Sequence, residues 1–278
     1  MLRFVADFNE RAGTIGSHAI FQDRRGEVPL NIVLLGHDDL PSLYALQRVI
    51  EAAPQHGYTA FFSGDLPASR GTPEALRELA EVDARLCERL RQSGRLGKPL
   101  LDAATLPQPN SARGLETLER LAPDLVISIR YRRILRDEAI AIPRLGVLNL
   151  HSGVLPDYKG VMATFWAMLH GEPTIGATLH RIIDSGIDTG PVIGLCRIPA
   201  AYGTSYLANV LRLYGPGCEL VAAALQALAA GREPAATPQE SGGRYFSTPR
   251  ATDIEAFMER GLVLANGLEM AEIEPRKT

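Results

Sequence analysis

The chain has 278 residues, 46% of them hydrophobic and 22% charged, and its formal net charge of −3 excludes a surface given over to nucleic acid, which needs clustered Lys and Arg. Three scattered cysteines, Cys87, Cys196 and Cys218, show no CxxC or Cys/His spacing, so neither a disulfide framework nor a metal site is expected. The opening MLRFVADFNERAG carries Asp7 and Glu10 where a leader needs an apolar run, and no stretch reaches the roughly 18 apolar residues of a membrane helix; a cytoplasmic protein with no membrane partner is expected.

Residues 1–29 read as an extension ahead of the core. NIVLLG (31–36) is a short apolar run ending in Gly, the pattern of a buried parallel strand. A helix follows with Leu43, Leu46, Val49 and Ile50 on one face, then a strand over 58–62 closed by Ser63 and Gly64. Residues 65–98 form an insertion, loop-like at 67–72 and then a long charged amphipathic helix carrying Leu76, Leu79, Val82, Leu86 and Leu90. GKPLL (97–101) is expected as the next strand, 107–111 as a loop capping a helix over 115–121, and 123–129 and 146–151 as two further buried strands. Trp166 falls in an apolar helix, 178–183 and 191–198 are later strands, and a helix over about 205–230 precedes a Gly/Pro-broken tail. Strands alternating with helices imply a Rossmann-like, doubly wound, mostly parallel α/β sheet, with ligands at the carboxyl ends of its strands. The expected organisation is one domain over 1–278, with a core at 30–200 and a short C-terminal appendage at 201–278.

On the strand 146–151, Asn149 and His151 are two apart and share a face, while Leu148 and Leu150 take the other. An amide beside an imidazole can hold a developing oxyanion. Taken singly, Asn149 reads equally as a turn residue and His151 as a hydrogen-bonded core histidine. Asp188 lies in DSGIDTG (184–190), a turn-rich loop between two apolar runs, where a carboxylate can cap a turn or partner a histidine and order water for proton transfer.

Together, NLHSGVLPDYKG (149–160), DSGIDTG (184–190), PDLVIS (123–128) and YRRIL (131–135) resemble, in this order, the 10-formyltetrahydrofolate-dependent formyltransferase family. The likeness is strong over 123–194, fair over 30–64 and 99–122, and absent over 1–29 and most of 65–98. It implies a formyltransferase-type fold and an N-formyltransferase with 10-formyltetrahydrofolate as co-substrate. Asn149 and His151 would polarise the formyl oxygen, and Asp188 would tune His151 and help carry the amine proton away. Arg133, Ile134 and Leu135, with the loop residues Asp184, Ser185, Gly186 and Ile187, would clasp the pterin-like ring. Two departures stand out: Ser152 directly follows His151, one place earlier than in the family, and the run from Thr178 to Asp188 is about one residue longer than in several relatives. Arg130, Arg132, Arg133 and Arg136 read either as solvated arginines or as attractors of the folate's glutamate carboxylates.

The acceptor is less determined. GHDDLPS (36–42) lacks the Gly/Ser-rich turn that cradles a phosphate, and two acidic residues there oppose a phosphorylated acceptor. The length leaves no room for the C-terminal β domain of methionyl-tRNA enzymes, so no nucleic-acid partner is expected. The chain looks most like the hydroxyornithine formyltransferases of siderophore (pyoverdine-type) assembly, making a small amine or hydroxylamine the expected partner. A nucleotide-linked amino sugar remains open, and a formyl-folate hydrolase or a non-catalytic folate binder are the readings from other classes.

Overall fold

The computed structural model describes residues 28–64, 72–267 and Glu269. The expected N-terminal extension, up to residue 27, and residues 65–71, which hold most of the loop expected at 67–72, lie outside the described residues. A seven-stranded sheet has the order β3-β2-β1-β4-β5-β7-β8. Its strands are β1 (Asn31–Gly36), β2 (Gly57–Phe62), β3 (Ala104–Thr105), β4 (Leu125–Ser128), β5 (Val147–His151), β7 (Thr174–Ile182) and β8 (Val192–Pro199). β1 to β5 pair in parallel, as the apolar runs imply, whereas β5–β7 and β7–β8 are antiparallel. The expected mostly parallel doubly wound sheet is therefore present.

Each face of the sheet has its own core, which is why β1 and β4 are apolar at every interior position. Val33, Leu35, Val126 and Val147 pack on one side with Leu118 of α4 (Ala112–Leu121) and Ala139 of α5 (Asp137–Ile140). Ile32, Leu34, Leu125, Leu148 and Leu150 pack on the other against α1 (Leu40–Ala52) and α7 (Tyr206–Ala229). α2 (Glu74–Gln92) buries Leu86, Cys87 and Leu90 and lies over α1. α6 (Ala163–His170) is tied to α8 (Ala251–Glu259) by Phe165 stacked on Phe257 at 4.5 Å, a contact worth about 1 kcal/mol beyond its buried area.

Residues 97–101 are not a strand. Lys98–Leu101 is a short helix, α3, because Pro99 at its start fixes a helical φ and needs no amide partner there. The edge strand β3 comes just after it. Two short strands absent from the expected pattern, β6 (Tyr158–Gly160) and β9 (Arg244–Phe246), pair in parallel as a separate ribbon. Tyr158 and Trp166 both stack on Phe246, at 5.4 and 5.1 Å.

Candidate active site

β5 brings Asn149 and His151 to one face of the sheet, and the register pairs Asn149 with His180 and His151 with Thr178 on β7. Because β7 runs against β5, its last residue, Ile182, lies level with Val147, away from His151. The loop 183–191 then doubles back over the same face. This brings Asp188 within 3.5 Å of both His151 Nδ1 and His180 Nε2. Asn149, His151 and Asp188 thus converge, and His180 completes the group.

The carboxylate is held on several sides. Its Oδ2 accepts the Gly160 amide of β6 at 2.8 Å, and the residue takes a left-handed φ of 53°, unusual for a non-glycine. Burial by itself would raise its pKa, but the charge of His151 and the hydrogen bond from the Gly160 amide outweigh this and set Asp188 at about 2. His151 is buried, and its Nε2 lies 2.6 Å from the Tyr158 carbonyl, also on β6. Both neighbours of the ring, the Tyr158 carbonyl and the Asp188 carboxylate, are acceptors.

His180 carries no family signal in the sequence reading, where it is one more residue of an apolar strand. Its Nδ1 donates to the Arg181 carbonyl at 2.9 Å, leaving Nε2 as the lone pair that accepts from Asn149 Nδ2 at 3.0 Å. That contact is a hydrogen bond, whereas the 3.5 Å separation from Asp188 is too long for a strong one. The Asn149 amide is thereby oriented, with its second N–H left for a ligand.

The loops flanking this face carry the residues expected to meet a ring. Leu135 is buried, and Ile134 is 52% exposed. Residues 131–136 belong to no helix or strand, so their backbone groups are not committed to a ladder. On the other loop Asp184 Oδ1 accepts the Gly186 amide at 2.8 Å, Ser185 is exposed, and Ile183 and Ile187 are 57% and 40% exposed. Exposed isoleucines on two otherwise polar loops suit a flat apolar ligand face. Arg130 and Arg132 are not simply solvated arginines, since each has an ion-pair partner. Both bind Asp39, at 2.8 and 3.2 Å, and Arg133 Nε donates to the Ser63 carbonyl at 3.2 Å. Asp39 is the N-cap of α1, accepting from the Ser42 amide at 3.0 Å, and its buried carboxylate draws the guanidinium groups inward.

Among the described residues no helix is long and apolar enough to cross a membrane. Methionyl-tRNA formyltransferase of Mycobacterium avium (strain 104) is 33% identical over 205 residues, which are 73% of this chain and 59% of that protein. The chain thus spans about three-fifths of the length of this curated relative. Glycinamide ribonucleotide transformylase 1 from Symbiobacterium toebii superposes with a TM-score of 0.54 at 20% identity, over 82% of this chain and 100% of that one. A sugar N-formyltransferase from Shewanella sp FDAARGOS_354 does so at 0.53 and 16% identity, over 87% and 85%. These two likenesses show a shared fold. Residues 101–208, which include Asn149, His151 and Asp188, match the formyl transferase family.

Proposed function

We propose that the chain is an N-formyltransferase that takes its formyl group from 10-formyltetrahydrofolate and passes it to a nitrogen of a small acceptor, with Asn149, His151 and Asp188 as the catalytic residues. The observation that carries this reading is the convergence of an oriented amide, an imidazole and an ionised carboxylate on one face, within the segment that matches the family. Asn149 directs its remaining amide N–H at the formyl oxygen and stabilises the oxyanion that forms when the acceptor nitrogen attacks. His151, whose ring lies between the Tyr158 carbonyl and the Asp188 carboxylate, stands beside that oxyanion and keeps Asp188 in place. Asp188 receives the proton that the acceptor nitrogen loses, directly or through one water, and the folate nitrogen takes a proton as its bond to the formyl carbon breaks. Arg133, Ile134 and Leu135, with Asp184, Ser185, Gly186 and Ile187, border the ring of the folate; the exposed Ile134 and Ile187 support that placement.

The acceptor in this reading is an amino-acid-derived hydroxylamine, N5-hydroxyornithine, as in siderophore assembly. The end of β1 supports it: the place where a phosphate would meet the start of α1 is filled by the Asp39 carboxylate, and Asp83 accepts from the Leu40 amide beside it at 3.1 Å. A hydroxylamine reaches the site largely as the free base. An alkylamine with a pKa near 10.4 is neutral to only about one part in 10³ at pH 7.5. The test is to incubate the protein with 10-formyltetrahydrofolate and N5-hydroxyornithine, ornithine, a nucleotide-linked amino sugar or no acceptor, following tetrahydrofolate release and product mass. Formylation of hydroxyornithine with kcat/KM roughly 10³ above ornithine is expected. Formylation of the amino sugar alone would replace the acceptor and leave the catalytic group standing. Release equal in all four would make the protein a hydrolase.

A further inference from the structure

The catalytic face is assembled from segments that are distant in sequence, and one side chain of the C-terminal segment touches it directly. Gln239 Nε2 donates to the carbonyls of Asp188 and Gly190, at 2.9 and 2.8 Å. Two carbonyl acceptors fix which end of the amide points into the loop. Gln239 is itself anchored: Thr237 exchanges both backbone hydrogen bonds with Val192 at the start of β8, each 2.8 Å. Just beyond it, β9 pairs with β6, the strand whose Tyr158 carbonyl meets His151 and whose Gly160 amide meets Asp188. The Gln239 Oε1 is buried and accepts no hydrogen bond among the described residues.

From these contacts we infer that Gln239 is a positioning residue, whose paired N–H groups clamp the backbone on either side of Thr189 and so hold the Asp188 carboxylate in its left-handed conformation against His151. The inference rests on the proposed formyl transfer at Asn149, His151 and Asp188. Without the clamp, the carbonyls of Asp188 and Gly190 turn to water and the loop relaxes outward. Asp188 then loses its fixed distance from His151, while the sheet beneath is unchanged. A misplacement of about 1 Å at a reacting group costs on the order of 10²-fold in rate.

The test uses Gln239→Ala and Gln239→Glu in the full chain, with steady-state kinetics, thermal melting and Asn149→Ala as control. Gln239→Ala should lower kcat by roughly 10- to 100-fold. Gln239→Glu keeps the shape but, when ionised, sets a carboxylate against two carbonyls; on protonation it regains one donor. Its kcat relative to wild type should therefore rise at least about fivefold between pH 8.5 and pH 5.5. The titratable and charged groups around the clamp, His151, His180 and Arg181 with its partner Glu233, are common to both proteins, and Asp188, at about 2, stays ionised throughout. A purely structural loss would be flat in pH and would track the melting temperature. Wild-type kcat in Gln239→Ala, a pH-independent ratio in Gln239→Glu, or failure of both variants to fold would each overturn the inference. If the wild type does not turn over formyl-folate, or Asn149→Ala keeps full activity, the proposed reaction fails instead.

Discussion

Replacing Asp188 by asparagine removes the one negative charge of the proposed catalytic group while keeping its size. The side chain is only 10% exposed, so its interactions are weakly screened by solvent. Its carboxyl sits at about 2 against an ordinary 3.8, a difference worth about 2 kcal/mol of stability to the native state. Because the folded pKa is depressed, that contribution is complete above pH ~4 and is lost as the pH falls towards 2, with roughly half gone by pH 3. Urea unfolding of the wild type and Asp188→Asn at pH 7, 4 and 3 measures it. The wild type should lead by about 2 kcal/mol at pH 7, and the lead should shrink by about 1 kcal/mol at pH 3. Turnover should fall by at least about 10²-fold at pH 7, the scale of a lost proton partner. A stability gap that is the same at pH 3 as at pH 7 would refute the claim that His151 and the Gly160 amide hold this carboxylate ionised.

Two further substitutions probe the same face. Asn149→Ala should lower kcat by roughly 10²–10³, the scale of one oxyanion donor, with little change in folate affinity by equilibrium titration; near-normal kcat would remove its role. Gly190→Ala would put a methyl carbon 1.8 Å from the Arg181 carbonyl oxygen, so a loss of about 1–3 kcal/mol in chemical denaturation and a matching fall in turnover are expected; an unchanged midpoint would contradict that close approach.

The long apolar strands were legible because each is buried on both faces. β1 and β4 stand where runs of Val, Leu and Ile place them, β5 where Val147, Leu148 and Leu150 alternate with Asn149 and His151, and α1, α2 and α4 follow their helical spacing. What failed was short. Residues 97–101 have the composition of a buried strand, yet Pro99 starts a helical turn, and the true strand β3 is only Ala104–Thr105. β6 and β9 are three residues each and take their stability from one another across the chain, so neither has a local period to detect. The same reason hid His180 and Gln239. His180 matters only because the antiparallel register sets it opposite Asn149, and Gln239 only because the Thr237–Val192 pairing delivers it to the loop. The partner of the arginines at 130 and 132 was hidden as well: Asp39 lies far back in the sequence, at the start of α1.

The β6–β9 ribbon also has a consequence for the timing of biosynthesis. A chain emerging from the ribosome at about 5–20 residues per second can begin to fold its N-terminal segments first. β5, β7 and β8 are available once α7 has emerged, but the partner of β6 lies at Arg244–Phe246. Until that strand appears, the Tyr158 carbonyl and the Gly160 amide have no ribbon to hold them in place, and His151 and Asp188 lack a rigid frame. A nascent protein with its sheet complete would thus still be catalytically silent, and competence would arrive late, with the delivery of three residues near the end of the described structure.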